Sequence, residues 1–143
     1  MAKVFDVAKY ILEKQGQMTA MKLQKLVYYS QAWSLVWDEK PLFNARIEAW
    51  ANGPVCPNLY SIHRGMFRVG QNDILGDSSN LEEYQRQTID EVLNFYGNES
   101  SQWLSDLTHK EEPWRQARKG YEPGDICSNE ITHASMAEYY GSL

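Results

Sequence analysis

The segment from Thr19 to Lys40, TAMKLQKLVYYSQAWSLVWDEK, most constrains the fold, because it has the pattern of one long helix with two apolar faces. The main stripe recurs every three or four residues, which is typical of a helix face turned to a core. It comprises Leu23, Leu26, Val27, Ser30, Trp33, Ser34 and Trp37. A second face carries Tyr28, Ala32 and Leu35, so packing on more than one side is expected. We therefore predict a long central helix with Thr19 as its N-cap.

Helix signals recur along the rest of the chain, where stripes at helical spacing begin at capping residues or proline and stop at glycine. They predict a first helix around Phe5–Leu12 before Gly16, one from Pro57 through Met66, one from Leu81 to Gly97 after a Ser79/Glu82 capping box, and others around Trp103–Leu107, from Pro113 to Gly120, and from Ser128 through Tyr139. Residues 46–51, RIEAWA, alternate like an isolated strand. The prediction is a mainly α, single compact domain over residues 1–143, with about seven short to medium helices around the long central one. At most a short β-turn or strand is expected near residues 46–51, without a real sheet.

Composition and charge narrow the function. Fourteen Lys and Arg against nineteen Asp and Glu give a net charge of -5, with no basic run, which disfavours direct binding to nucleic acid. No apolar stretch approaches the ~20 residues that span a bilayer, and there is no signal-peptide core. Cys56 and Cys127 are far apart and form no CxxC motif. We expect a cytoplasmic protein with buried thiols, without membrane association, cofactor or metal.

The segment LTHKEEPWRQAR, residues 107–118, allows two interpretations. His109 and Glu111 have the chemistry of an acid/base pair or of metal ligands, which would suit a metal-dependent enzyme. Their spacing lacks the two histidines of a zincin helix, and Pro113 is typical of a helix start with acidic residues at its positive end. We favour the helix junction, with Glu111 or Glu112 paired to Arg115 or Arg118 and with Trp114 buried. The chain has no other nucleophile or phosphate-loop signature, so no catalytic residue is predicted.

The aromatic content exceeds what one helix stripe can bury. Five Trp and nine Tyr are present, and several lie on the long helix or close to it in sequence. Core filling is the simpler explanation, but some rings are expected to form a groove for a partner. The predicted partner-binding residues are Lys22, Lys25, Tyr29, Trp50 and Tyr60. Tyr29 is expected to be exposed because it falls off the main stripe.

Three strings in order resemble the SocA-like antitoxins, also called the Panacea domain and described earlier as GepA-like phage-associated proteins. They are KLQKLVYYSQAW (22–33), PLFNARIEAWANGPVCPNLY (41–60) and LSDLTHKEEPWRQAR (104–118). The family has a KLQKLLYYAQ helix, a PLF element followed by EAW and GPV, and a late TH-x-E-x-PW-x-x-AR run. The resemblance extends from the first helix almost to the end of the chain.

The resemblance implies a mostly helical protein without established enzymatic activity that neutralises a cognate toxin by binding it. In the founding type, the antitoxin is also an adaptor that delivers the toxin to a ClpXP-type protease. Some members carry a helix-turn-helix domain, for which this chain has no length to spare. His109, Glu111, Pro113, Trp114 and Arg118 match the late motif, and we predict a structural role for them. The alternative in the same class is a phage-associated interaction module that is not an antitoxin.

Overall fold

The computed structural model describes residues 2–143, most of which are helical. The helices are α1 (Val4–Gln15), α2 (Ala20–Trp37), α3 (Pro57–His63), α4 (Glu83–Tyr96), α5 (Ser101–His109), α6 (Glu112–Ala117) and α7 (His133–Gly141). The strands are β1 (Met18–Thr19), β2 (Ile47–Trp50), β3 (Gly53–Val55), β4 (Arg68–Val69) and β5 (Glu130–Ile131). The predicted mainly α class is confirmed, and the domain is small and compact.

Helix α2 contacts α1, α3, α4, α5 and α7, and most of its side chains are buried. The Thr19 hydroxyl accepts a hydrogen bond from the Lys22 amide at 3.2 Å, which confirms the predicted N-cap. Three further predicted boundaries are confirmed. Gly16 ends α1 with a φ of 79°, Pro57 opens α3, and Gly97 ends α4.

Two glutamine side chains of α2 hold the following segments against the helix. The Gln31 carboxamide accepts from the amides of Leu42 and Phe43, at 2.7 and 3.3 Å, and donates to the Phe43 carbonyl at 2.8 Å. Gln24, two turns earlier, accepts from the Cys56 amide at 2.8 Å and donates to its carbonyl at 3.3 Å. These bonds satisfy buried backbone groups of Leu42, Phe43 and Cys56, which lie outside the helices and strands.

The prediction that no sheet forms around residues 46–51 is wrong. Strand β2 pairs antiparallel with β3, with Trp50 opposite Gly53, and with β5, with Ile47 opposite Ile131. The second partner lies more than 80 residues away in sequence, so local alternation gave no sign of it. A second small sheet joins β1 to β4, with Met18 opposite Val69.

Several predicted helix boundaries are also wrong. Strand β5 occupies Glu130–Ile131, so Thr132 rather than Ser128 caps the last helix. Helix α3 ends at His63, not Met66, and α6 ends at Ala117, three residues before Gly120. The Ser79/Glu82 spacing is not a capping box. Instead, the Glu82 amide donates to the side chain of Gln85 at 2.8 Å, which makes Glu82 the N-cap of α4. In residues 2–143 no helix is both long and apolar enough to cross a membrane.

Candidate partner-binding site

A cavity of about 650 Å³ opens between the start of α2, the end of α3 and helix α5. Its wall combines apolar side chains with hydroxyl, amide and imidazole groups. The lining residues are Thr19, Ala20, Met21, Lys25, Asn52, Tyr60, His63, Gly65, Met66, Phe67, Ser101, Gln102, Ser105 and His109. We call this space the Lys25 cavity.

Lys25 is the most unusual residue of the Lys25 cavity, because its side chain is only 1% exposed and its ammonium nitrogen, Nζ, has no hydrogen-bond partner among the described residues. Burial disfavours the charged form and lowers the pKa of Lys25 from 10.5 to about 8. The Lys25 side chain lies against the turn between β2 and β3. A Cβ at Gly53 would stand 2.5 Å from Cε of Lys25, and Gly53 has a φ of 122°. The glycine of the Asn52-Gly53-Pro54 sequence therefore makes room for the lysine.

His109, from α5, lines the same cavity. Its imidazole stacks on the Trp114 ring at 4.0 Å between centroids, and its Nε2 is buried without a partner among the described residues. Burial lowers the pKa of His109, and the positive charge of Lys25 lowers it further. A hydrogen bond to the Asn52 backbone raises this pKa without reversing the shift. His109 is therefore mainly neutral near pH 7.

His63 closes another side of the cavity in a fixed orientation. The Gln24 amide nitrogen lies 2.9 Å from Nε2 of His63, and the Tyr60 ring packs edge-on to the imidazole at 5.3 Å. Burial lowers the pKa of His63. Because the amide nitrogen is a donor, Nε2 accepts the bond and His63 is held as a neutral imidazole.

A second, smaller cavity adjoins the first and shares Met21 and Asn52 with it. It measures about 340 Å³ and is lined by Met21, Glu48, Trp50, Ala51, Asn52, Ile126, Cys127 and Ser128. The rings of Trp50 and Tyr60 pack edge to face, with their centroids 4.9 Å apart. Tyr60 lines the first cavity and Trp50 lines the second. Phe67, 78% exposed, lines the first cavity, and Ile126, 95% exposed, lines the second.

The structure brings together three of the five residues predicted to bind a partner, which are Lys25, Trp50 and Tyr60. Lys22 is half-buried on α2 and lines neither cavity. The expectation that Tyr29 is exposed is wrong, since it is fully buried. Its ring stacks on Tyr96 of α4 at 4.2 Å, because α4 covers a face of α2 that the main stripe does not reach. Lys25, expected on a surface, is buried as well.

Glu111 does not share a site with His109. One of its carboxylate oxygens accepts hydrogen bonds from the hydroxyls of Tyr29 and Tyr140, both at 2.7 Å, inside the core. Burial raises the pKa of Glu111, and the two tyrosine bonds partly offset that rise. No group of three or more His, Cys, Asp or Glu side chains in residues 2–143 is arranged to hold a metal ion. The hypothesis of an enzyme using His109 and Glu111 therefore gains no support from the geometry.

The rest of the late motif joins α6 to the sheet. Pro113 lies in the first turn of α6, and the Trp114 ring nitrogen donates to the Trp50 carbonyl at 2.8 Å. Trp114 is half-buried rather than fully buried. Arg118 is buried, lies over the Trp114 ring and donates to the Ala49 carbonyl at 2.9 Å. Arg118 is therefore not the arginine that pairs with a carboxylate of this motif.

The predicted ion pair of this motif is confirmed as Glu112 with Arg115, at the surface. Nη1 of Arg115 lies 3.5 Å from a carboxylate oxygen of Glu112, one turn away on α6. Both side chains are about half exposed, so this pair adds little stability.

Sequence analysis did not single out the exposed rim of the two cavities. Phe67 and Ile126 lie outside every predicted helix, and Met66 was predicted at the end of a helix that stops at His63. The available signal was the presence of large apolar residues in segments rich in glycine and polar residues. Both cysteines are buried, and burial raises the pKa of Cys56, so the Cys56 thiol is not activated for chemistry.

Comparison with protein families matches residues 23–115 to the family described as antitoxin SocA-like, Panacea domain. Apart from Thr19, Ala20 and Met21, every residue that lines the Lys25 cavity lies within that span. No curated protein and no solved structure matches the chain.

Proposed function

Because the chain belongs to the SocA-like, Panacea-domain family of antitoxins, we propose that it is the antitoxin of a toxin–antitoxin pair and neutralises its toxin by direct binding. The family match over residues 23–115 carries this proposal. It favours a role that depends on a protein partner rather than on catalysis. Delivery of the bound toxin to a ClpXP-type protease is a further step, which a longer toxin half-life in cells lacking that protease would reveal.

The proposed toxin-binding surface consists of the two adjoining cavities and their exposed rim. Concave surfaces with large rings, few charges and exposed apolar edges are typical of interface centres. Trp50 and Tyr60 are in contact and line different cavities, while Phe67 lines the first cavity and Ile126 the second. Burial of these side chains by a toxin would remove apolar surface that now faces water.

Growth rescue tests this function. The reading frame next to the gene is expressed from an inducible promoter, alone and together with the chain. We expect growth arrest by that reading frame alone and recovery on co-expression. If the neighbouring product is harmless, or if its toxicity persists in the presence of soluble chain, the antitoxin assignment is wrong.

A matched pair of variants tests the surface. Phe67→Ser changes the cavity rim, whereas Phe95→Ser changes a ring on α4 that is 70% exposed and lines neither cavity. We expect Phe67→Ser to weaken toxin binding about tenfold, the effect of losing a ring that is a hot spot of the interface, and Phe95→Ser to leave it unchanged. Equal affinities would move the toxin surface away from the cavities.

A further inference from the structure

We propose that the Lys25 cavity is a binding site for a carboxylate group, held by Lys25 and His109. The inference concerns a ligand of the isolated chain and does not require the antitoxin assignment. It starts from two nitrogens, Nζ of Lys25 and Nε2 of His109, that are buried in one cavity wall without partners among the described residues.

A buried ammonium without an acceptor is costly, because it gives up its water shell and receives no hydrogen bond in return. Lys25 has no carboxylate nearby, and burial alone accounts for its altered protonation. An anion entering the cavity would supply both the missing countercharge and the missing acceptor. The end of the Lys25 side chain occupies the space beside Gly53 that a Cβ would fill, since Cε and Nζ lie 2.5 and 3.2 Å from that point.

His109 provides the second contact. Because Nε2 has no partner, the hydrogen bond between the His109 ring and the Asn52 backbone is made by Nδ1. This bond favours the protonated ring, as donation to a carbonyl does. In the neutral imidazole Nε2 is then the unprotonated nitrogen. When an anion binds, Nε2 takes up one proton from solvent and donates it to an oxygen of the ligand. The charged groups that act on His109 are Lys25, Asp106 and Arg118, and Tyr60 and His63 line the same cavity.

The wall of the cavity selects the kind of anion. Lys25 is mostly charged below pH 8 and His109 gains a proton on binding, so charge alone does not separate a carboxylate from phosphate. Met21, Met66 and Phe67 line the same space, which favours a carboxylate carried on an apolar body. Such a group belongs either to a free organic acid or to an acidic residue or C-terminus of the toxin.

Titration of the isolated chain with sodium acetate tests the site, with sodium phosphate and sodium chloride as comparisons. We expect a saturable heat signal with acetate and a shift of the His109 Nε2 resonance toward the position of a protonated nitrogen. Lys25→Met keeps the length of the side chain and removes its charge. It should reduce acetate affinity at least about tenfold, the typical weight of a charge-assisted bond. Lys110→Met removes an exposed charge next to His109 and should leave the affinity unchanged.

The proposal is overturned if wild-type protein shows no saturable response to acetate, if Lys25→Met binds acetate as well as wild type does, or if chloride produces the same His109 shift. The His109 signal keeps the test valid even where Lys25→Met folds poorly, because it is read on the unmodified chain. Competition then identifies the source of the carboxylate. Acetate displaces a toxin that inserts an acidic group into the cavity, and leaves toxin affinity unchanged where the natural ligand is a free acid.

Discussion

At the residue scale, Glu111 connects three helices through one carboxylate. It is the N-cap residue of α6, and it receives the hydroxyls of Tyr29 from α2 and Tyr140 from α7. Since the Tyr140 proton points to Glu111, the 3.0 Å contact between the Tyr28 and Tyr140 hydroxyls is donated by Tyr28. The conspicuous acid of the late motif therefore connects α2, α6 and α7.

Glu111→Ala should lower the free energy of unfolding by about 2 to 5 kcal/mol, because two buried hydroxyls lose their acceptor. Glu111→Gln should cost less, since its amide oxygen can still accept. Urea denaturation at pH 7 measures both. If Glu111→Ala unfolds at the same urea concentration as wild type, the tyrosine hydroxyls do not depend on this carboxylate.

Lys25 should make stability depend on pH in a defined direction. Its pKa falls from 10.5 to about 8 on folding, so the buried charge is fully destabilising below pH 8. As pH rises from 8 to 10.5, the folded lysine is neutral while the unfolded one remains charged, and the penalty disappears. Wild type should thus gain roughly 3 kcal/mol relative to Lys25→Met across this window. The same pH profile for both proteins would show that Lys25 is not desolvated.

At this scale, sequence reasoning predicted side-chain chemistry better than side-chain location. Lys25, Trp50 and Tyr60 do gather around one pair of cavities. Tyr29 was misplaced because helical periodicity identifies a stripe but not how many neighbouring helices surround it. The Tyr29 hydroxyl can be buried because it donates a hydrogen bond to Glu111. Glu111 lies 82 residues away in sequence, so the residues around Tyr29 did not indicate this bond.

At the scale of elements, α2 acts through its polar side chains as much as through its apolar ones. Gln24 and Gln31 lie seven residues apart, on the same side of the helix, and bond to backbone at Cys56 and at Leu42–Phe43. They fix the segment between α2 and α3, which includes β2, β3 and the turn at Gly53. The position of Lys25 in its cavity depends on this arrangement.

Replacing Gln31 by Leu should lower the free energy of unfolding by about 2 to 5 kcal/mol, because two amides and one carbonyl lose their partner in the core. Ser30→Ala is the control. The Ser30 hydroxyl donates only to Leu26 of its own helix, so its loss should cost about 1 kcal/mol or less. Thermal denaturation compares the two, and equal melting temperatures would contradict the role given to Gln31.

Elements set by local signals were predictable, whereas those set by distant partners were not. Thr19, Pro57 and Gly97 mark helix ends through backbone chemistry that acts within one turn. Strand β5 has two residues and exists because β2 lies beside it. Such a pairing leaves no periodic trace in a two-residue segment.

At the scale of the whole molecule, segments outside the matched family span complete the core. Helix α1 packs on α2, β5 forms an edge of the three-stranded sheet, and α7 packs on both α2 and α6. Tyr140 of α7 is fully buried against Tyr28 and Tyr29. We propose that residues 1–143 fold as one cooperative domain and that residues 23–115 are not a folding unit by themselves.

A chain ending at residue 132 tests this proposal. Loss of α7 uncovers the tyrosine cluster and removes one of the two donors to Glu111. We expect near-ultraviolet circular dichroism to lose its aromatic signal and thermal unfolding to become broad. A sharp transition at the wild-type temperature would show that α7 is an appendage.

The most direct test of the proposed function is hydrogen exchange of the chain alone and in complex with its toxin. We predict slower exchange on binding for amides around the two cavities, in residues 50–53, 58–67 and 101–109, and little change in α4. Protection confined to α4 or to residues 70–80 would contradict the proposed surface. Unchanged exchange at saturating concentrations of a toxin that the chain neutralises in cells would contradict direct binding itself.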